Sequence, residues 1–332
     1  MSHIYLTFSV AARVNYYSDR ALAGLRELGD VVVNPLDRAL DTRELIEASR
    51  GCAIIVADRE TPGTGELFRN SPRLVAFTRC AVDIRNVDVT AASENGVLVT
   101  RAGPGFVASV AEWVIGVMID LSRRISDAVG AYRAAGALVP TMGRELKHST
   151  LGVIGYGSIG RYLSDLALGF GMRVVVTDPV ATVADPRIRQ GSLAEVLDES
   201  DFVVCLAPAN TQTANLMNAS TFAQMKRGAY FINASRGELV DDAALKLALD
   251  EGHLAGCALD VGRAADQKPT LELASHPKVI ATPHIGGLTP QAVEYQALET
   301  VEQVAAILRG RVPPGAVNAE MAARLALLTK SR

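Results

Sequence analysis

The chain has 332 residues, 49% hydrophobic and 21% charged, with a formal net charge of −3. That length exceeds one ordinary hydrophobic core and predicts two domains. The balanced charge offers no footprint for nucleic acid or an anionic membrane, and the most apolar helical stretch, 110–121, contains Glu112 and Asp120 and is too short to span a bilayer.

From the N-terminus, His3-Ile-Tyr-Leu-Thr-Phe reads as a first strand and not as a signal peptide. Strand-like runs at 4–8, 31–33, 53–57, 74–78 and 97–100 alternate with helical patterns at 20–28, 42–49 and 89–94. This alternation predicts a parallel sheet with helices on both faces. A break at Ala102-Gly-Pro-Gly105 precedes one long helix expected from Val107 to Ala134. Cys52, Cys80, Cys205 and Cys257 are dispersed without a CxxC pair, which predicts free thiols in a reducing, cytoplasmic setting.

The most informative segment follows. Thr150–Ile154 reads as a buried strand, Ser158–Phe170 as the next helix, and Gly155, Gly157 and Gly160 form the turn between them. In this arrangement the first glycine permits a tight turn, the second lets backbone approach a pyrophosphate, and the third lets helix and strand pack closely. Asp178 ends the following strand, placed to accept the ribose hydroxyls and to repel a 2′-phosphate, so the segment predicts NAD as cofactor.

Further strands are expected at 174–176, 202–206, 229–233, 255–260 and 279–282, and a last long helix at 290–309. The tail after 286 is too small for a domain of its own, so it is expected to pack on the N-terminal unit. The fold class is α/β, with two doubly wound parallel-sheet domains and a cleft between them. One is a Rossmann NAD-binding domain at 101–285, the other a discontinuous, flavodoxin-like substrate domain at 1–100 and 286–332.

Three strand ends carry chemistry. Arg236 follows an apolar strand, where a guanidinium can grip a carboxylate with two N–H bonds. His284 follows Pro283 at another strand end and can hold or release a proton near neutral pH. Asp260 ends a third strand. Nothing suggests a metal-ligand cluster.

With these motifs in order, the chain resembles the D-isomer-specific 2-hydroxyacid dehydrogenases over nearly its whole length. The resemblance rests on Gly155–Gly160 with Asp178, on Asn233-Ala-Ser-Arg236-Gly237, and on Thr282-Pro-His284-Ile-Gly-Gly287. It implies that Arg236 binds and polarises a 2-keto acid and that His284 exchanges a proton with the 2-oxygen. It also implies that Asp260 holds the nicotinamide carboxamide, and that Ser158, Ile159, Pro208, Thr213, Ala234 and Gly286 line the cofactor path. A homodimer formed through the helix after residue 107 follows from the same resemblance.

The chain departs from that family at two places. The glutamate expected to orient the histidine falls at Ala265, leaving Asp266 as a stand-in or no partner at all. The substrate loop, with Arg79, Val82 and Asp83 as candidate contacts, has Ala81 and Asp83 where glycines are usual. The expected activity is hydride transfer between NAD and C2 of a small 2-hydroxy or 2-keto acid. An NAD(H)-binding sensor or scaffold and a formate- or phosphite-oxidising relative are the alternatives.

Overall fold

The computed structural model describes residues 3–136, 140–264 and 266–328. The chain divides into two compact units, one comprising residues up to Phe106 together with those from Thr289 onward, the other running from Val107 to Leu288.

The first unit begins with β1 (His3–Leu6), α1 (Val10–Tyr16), α2 (Asp19–Leu28), β2 (Asp30–Val33) and α3 (Thr42–Ala48). It continues through β3 (Ile54–Ala57), α4 (Gly65–Asn70), β4 (Ala76–Arg79), α5 (Val89–Glu94) and β5 (Leu98–Arg101). The strands are parallel in the order β2-β1-β3-β4-β5, the flavodoxin-like arrangement. Helix starts are written locally: Ser9, Ser18, Thr64 and Asp88 each cap their helix through the side chain, and Asp41 forms a capping box with Glu44. Helices α1 and α4 lie outside the sequence expectation. Both are short, α1 with 7 residues and none of them buried, α4 with 6 residues, too few for a period to stand out.

The second unit opens with α6 (Val107–Arg123) and α7 (Ile125–Arg133), where one unbroken helix was expected. Arg124 turns the chain there through the left-handed region at φ 52°. Asp120 holds the break, its Oδ1 accepting the Ser126 N–H at 2.8 Å and its Oδ2 the Ser126 hydroxyl. Neither proline nor glycine marks this junction, so composition does not reveal it.

Then come β6 (Thr150–Ile154), α8 (Ser158–Gly169), β7 (Arg173–Thr177), β8 (Ile188–Gln190), α9 (Leu193–Glu199), β9 (Phe202–Cys205) and α10 (Ala219–Gln224). The unit closes with β10 (Ala229–Asn233), α11 (Asp242–Asp250), β11 (Leu254–Leu259), α12 (Leu271–Ala274) and β12 (Val279–Ala281). All seven strands are parallel, ordered β12-β11-β10-β9-β6-β7-β8, the doubly wound order of a Rossmann sheet with a seventh strand. Both faces are covered. Val153, Val176, Val204 and Ile232 pack with Val114 and Met118 of α6 and Leu163 of α8. On the opposite face Val175, Val203, Phe231 and Cys257 pack with Val196, Phe222 and Leu245. Each such side chain contributes about 1.5–3 kcal/mol on full burial. Helix α13 (Pro290–Leu308) returns to the first unit, burying Ala297, Val304 and Ile307 against β1 and β3 residues such as Ile4 and Ile54.

All four cysteines are free and buried. Among the described residues, no helix is long and apolar enough to cross a membrane.

Removing the clamp at the helix break should loosen it. Asp120→Ala is expected to lower unfolding stability by about 1 kcal/mol, the worth of a lost helix cap. A urea midpoint equal to that of the wild type would show that the α6–α7 junction does not depend on this carboxylate.

Candidate active site

Strand register builds the site. Ile154 pairs with Thr177 and Cys205, Cys205 with Asn233, Asn233 with Leu259, and Leu259 with Ala281. The last residues of β7, β6, β9, β10, β11 and β12 therefore form one row. Gly155, Asp178, Leu206, Ala234, Asp260 and Thr282 are the first residues past that row, at the carboxyl edge where doubly wound sheets bind ligands.

The fingerprint glycines have separate steric reasons. Gly155 has φ +102°, and a Cβ there would lie 2.8 Å from the Ala207 nitrogen. A Cβ on Gly160 would lie 2.3 Å from the Gly155 carbonyl oxygen. At Gly157 a Cβ would meet nothing within 4 Å, so this glycine faces open space. Gly157 is also the N-cap of α8 and supplies no side-chain cap, while Ser158 is exposed and Ile159 half-buried beside it. An open, uncapped N-terminus of a 12-residue helix fits a pyrophosphate through its unpaired N–H groups and its dipole.

Asp178 takes three backbone N–H bonds, from Tyr156 at 2.7 Å and from Val180 and Ala181 at 2.8 Å each. Burial pushes its carboxyl upward, but these bonds and the nearby Arg161 guanidinium outweigh that and hold it below the usual range. Arg161 itself lies over the Tyr156 ring, 4.6 Å from its centroid. The carboxylate thus fixes the fingerprint turn while remaining ionised.

The loop after β9 closes on itself, with the Thr213 hydroxyl donating to the Pro208 carbonyl at 2.7 Å. Beyond β10, Asn233 is 1% exposed; its Nδ2 donates to the Arg236 carbonyl at 2.8 Å and its Oδ1 accepts from Ser235 N–H at 3.1 Å. Ala234 lies within this turn, and the Ser235 hydroxyl ties it to the Ala207 carbonyl at 2.6 Å. Arg236 leaves the turn extended and half-buried, its Nη1 donating to the Ser235 carbonyl at 2.8 Å. Gly237 lets this loop lie on the next, since a Cβ there would fall 2.1 Å from the Gly262 carbonyl carbon.

Asp260 is buried, and its carboxylate accepts from Thr282 Oγ1 at 2.6 Å, Ile285 N–H at 2.8 Å and Gly286 N–H at 2.7 Å. The segment so held presents His284, half-buried and in the left-handed region at φ 61°. Sequence reasoning assigns Asp260 to the carboxamide; the structure engages both its oxygens with the histidine segment. Asn233 and Thr282 stand in the motifs that carry the resemblance but receive no role there, and the structure gives them one as hydrogen-bonding residues of the two loops.

The polar partner that the described residues offer Asp266 is Lys268. Asp266 is ion-paired with Lys268 at 2.9 Å, accepts the Lys268 N–H at 3.2 Å, and is 54% exposed. The Lys268 ammonium, and after it the Lys268 N–H, hold its carboxyl below the usual range. Ala265 lies outside the described residues.

In the first unit, Arg79 is wholly buried. Its Nη2 donates to the Thr61 carbonyl at 2.8 Å and to Asn86 Oδ1 at 2.7 Å, whereas Nε and Nη1 have no hydrogen-bond partner among the described residues. Burial lowers the guanidinium to about 10, still cationic at neutral pH. Arg79 is thus an internal strut and not an exposed contact. Val82 is half-buried, and Asp83 forms a bidentate pair with Arg85, with Nη2–Oδ2 at 2.8 Å and Nε–Oδ1 at 3.1 Å.

The second unit has the architecture and the loop set of a dinucleotide-binding dehydrogenase domain. Residues 115–286 match the family described as D-isomer specific 2-hydroxyacid dehydrogenase, NAD binding domain. The chain belongs to that family, and its cofactor is NAD. It is 33% identical over 285 residues to D-3-phosphoglycerate dehydrogenase of Rattus norvegicus, covering 85% of this chain and 53% of that protein. The enzyme of the same name from Bacillus subtilis (strain 168) is 34% identical over 264 residues, covering 78% and 50%. The chain thus spans about half the length of these curated relatives. Among solved structures, the TT0316 protein from Thermus thermophilus superposes with a TM-score of 0.85 at 31% identity, covering 95% of this chain and 99% of that one.

Asp178→Ala is expected to weaken NAD binding and to narrow any preference over NADP by about tenfold or more. Because folding favours its ionised form, its contribution to stability is complete at neutral pH and is lost as pH falls below the usual aspartate range. The stability gap between wild type and variant should therefore close in acid. Unchanged NAD and NADP dissociation constants would remove Asp178 from cofactor recognition.

Proposed function

We propose that this protein is an NAD-dependent oxidoreductase that interconverts a small D-2-hydroxy acid and its 2-keto acid. The observation that supports it most is that Arg236 and His284 lie on the loops that leave β10 and β12 at the same sheet edge as the NAD fingerprint. Each is carried on a loop fixed by buried hydrogen bonds, through Asn233 and Asp260 respectively. NAD, when bound, accepts or supplies the hydride at C2. Arg236 binds the substrate carboxylate through its planar fork of N–H donors and polarises the adjacent 2-oxygen. The His284 imidazole donates a proton to that oxygen in reduction and takes it up in oxidation. The Arg79–Asp83 segment enters as the proposed substrate loop, with Asp83 neutralised by Arg85.

A second reading draws on position 265. The family's glutamate position holds Ala265, a departure in sequence that is compatible with an NAD(H)-binding sensor with little turnover. The two separate in one assay. NADH oxidation is followed with a panel of 2-keto acids, and NAD reduction with D-2-hydroxy acids, formate and phosphite. Turnover of at least one 2-keto acid is expected, with His284→Ala lowering kcat by about 10²–10⁴ while NADH still binds. Arg236→Lys should cost chiefly in KM, because a point charge replaces a bidentate fork. Tight NADH binding with no turnover of any candidate would favour the sensor, and turnover of formate or phosphite alone would move the substrate outside the 2-hydroxy acids.

The proposed assembly is a homodimer through α7. That helix buries none of its residues, and Ile125, Val129 and Tyr132 stand 47%, 40% and 74% exposed in one stripe. Val129→Glu with Tyr132→Ser should sediment as a monomer where the wild type sediments as a dimer. A wild-type monomer, or a variant that stays dimeric, would exclude this face as the interface.

A further inference from the structure

We infer that Asp260 is a positioning residue for His284, setting the backbone conformation that aims the imidazole. The inference rests on the reading of His284 as the proton-exchanging group, and its geometry lies wholly within the second unit.

His284 occupies the left-handed region, at φ 61°. A side chain in that region is strained relative to the ordinary one, and such backbone persists only where its surroundings over-determine it. Here one carboxylate does so. Asp260 Oδ1 accepts the Thr282 hydroxyl at 2.6 Å and the Ile285 N–H at 2.8 Å, and Oδ2 accepts the Gly286 N–H at 2.7 Å. The residue two before the histidine and the two after it are therefore bound to a single side chain. The His284 N–H completes the turn by donating to the Thr282 carbonyl at 2.9 Å. Asp260 is itself anchored at the end of β11, where its N–H donates to the Asn233 carbonyl at 3.2 Å.

The donor set demands a carboxylate. All three groups facing Asp260 are donors, and an ionised carboxylate is an acceptor only, with room for about four such bonds. An asparagine would turn an NH2 group toward Gly286 or toward the Thr282–Ile285 pair, leaving donor against donor. Gly286 is part of the same device, because a Cβ there would lie 2.8 Å from Asp260 Oδ2. A side chain at 286 would push the clamp open.

The test compares Asp260→Asn and Thr282→Val with the wild type, using NADH affinity, 2-keto acid kinetics and the NMR signals of the His284 imidazole, assigned by their loss in His284→Asn. Asp260→Asn is expected to lower kcat by about 100-fold while the NADH dissociation constant changes by less than about threefold. Thr282→Val, which removes one of three bonds and leaves the strand ends intact, should lower kcat by about tenfold, with Thr282→Ser restoring it. In both weakened variants the His284 signals and the His284-dependent limb of the pH–rate profile should shift. Loss of NADH affinity in proportion to kcat would overturn the inference and return Asp260 to cofactor contact, as would unmoved His284 signals in both variants. If the wild type turns over no 2-keto acid, the functional reading fails alone, since the imidazole signals still report on the clamp.

Discussion

The shared register of the strand ends in the second unit is the constraint on which the rest depends. Hydrogen bonding in a parallel sheet fixes neighbouring strands residue by residue. Once Ile154, Thr177, Cys205, Asn233, Leu259 and Ala281 stand in one row, the residue after each emerges at one edge. A slip of one residue in any strand would send its loop in with the opposite face of the pleat. The apolar sets on the two faces, Val153 with Val204 and Val203 with Phe231, oppose such a slip because it would exchange the two sets and misfit each against the helices packed on it. Packing energy far from the chemistry thus holds its geometry.

On that edge the loops are joined to one another by backbone approach and by buried polar side chains. Gly155, Gly160 and Gly237 bring main chain against main chain at distances no Cβ tolerates. Asp178, Asn233 and Asp260 each take or give hydrogen bonds to backbone groups of the turns beside them. Each of these polar residues ends or directly follows a strand, so its own position is fixed before its side chain acts. The result is a set of turns whose shapes are decided largely before any ligand arrives, the condition under which binding loses least to reordering.

Much of this was legible in the sequence, for physical reasons that differ by residue. The dinucleotide site was readable because glycines, strand and acid act locally and at fixed spacing. The α/β class followed from alternating apolar runs. The break at Arg124 was not readable, because the residue adopting the left-handed conformation is an arginine and the clamp that stabilises it, Asp120 with Ser126, looks like ordinary helix surface. The partners of charged side chains were least legible. Arg79 reads as a candidate substrate contact but is buried on internal partners, Asp83 is engaged by Arg85 two positions away, and Asp266 is engaged by Lys268. Pairing of this kind depends on loop shapes that no periodicity records. Asp260 was found as a strand-end carboxylate, yet its three donors come from residues 22–26 positions later and only the fold brings them in.

In the proposed reaction a hydride reaches C2 of a 2-keto acid and a proton its oxygen. The most direct measurement supplies NADH deuterated at the transferring position with a 2-keto acid and determines where the label goes and the configuration of the product. The expected product is a D-2-hydroxy acid carrying deuterium at C2, with formation lost in His284→Ala. Recovery of the keto acid without deuterium, under conditions where the labelled NADH is bound, would contradict it.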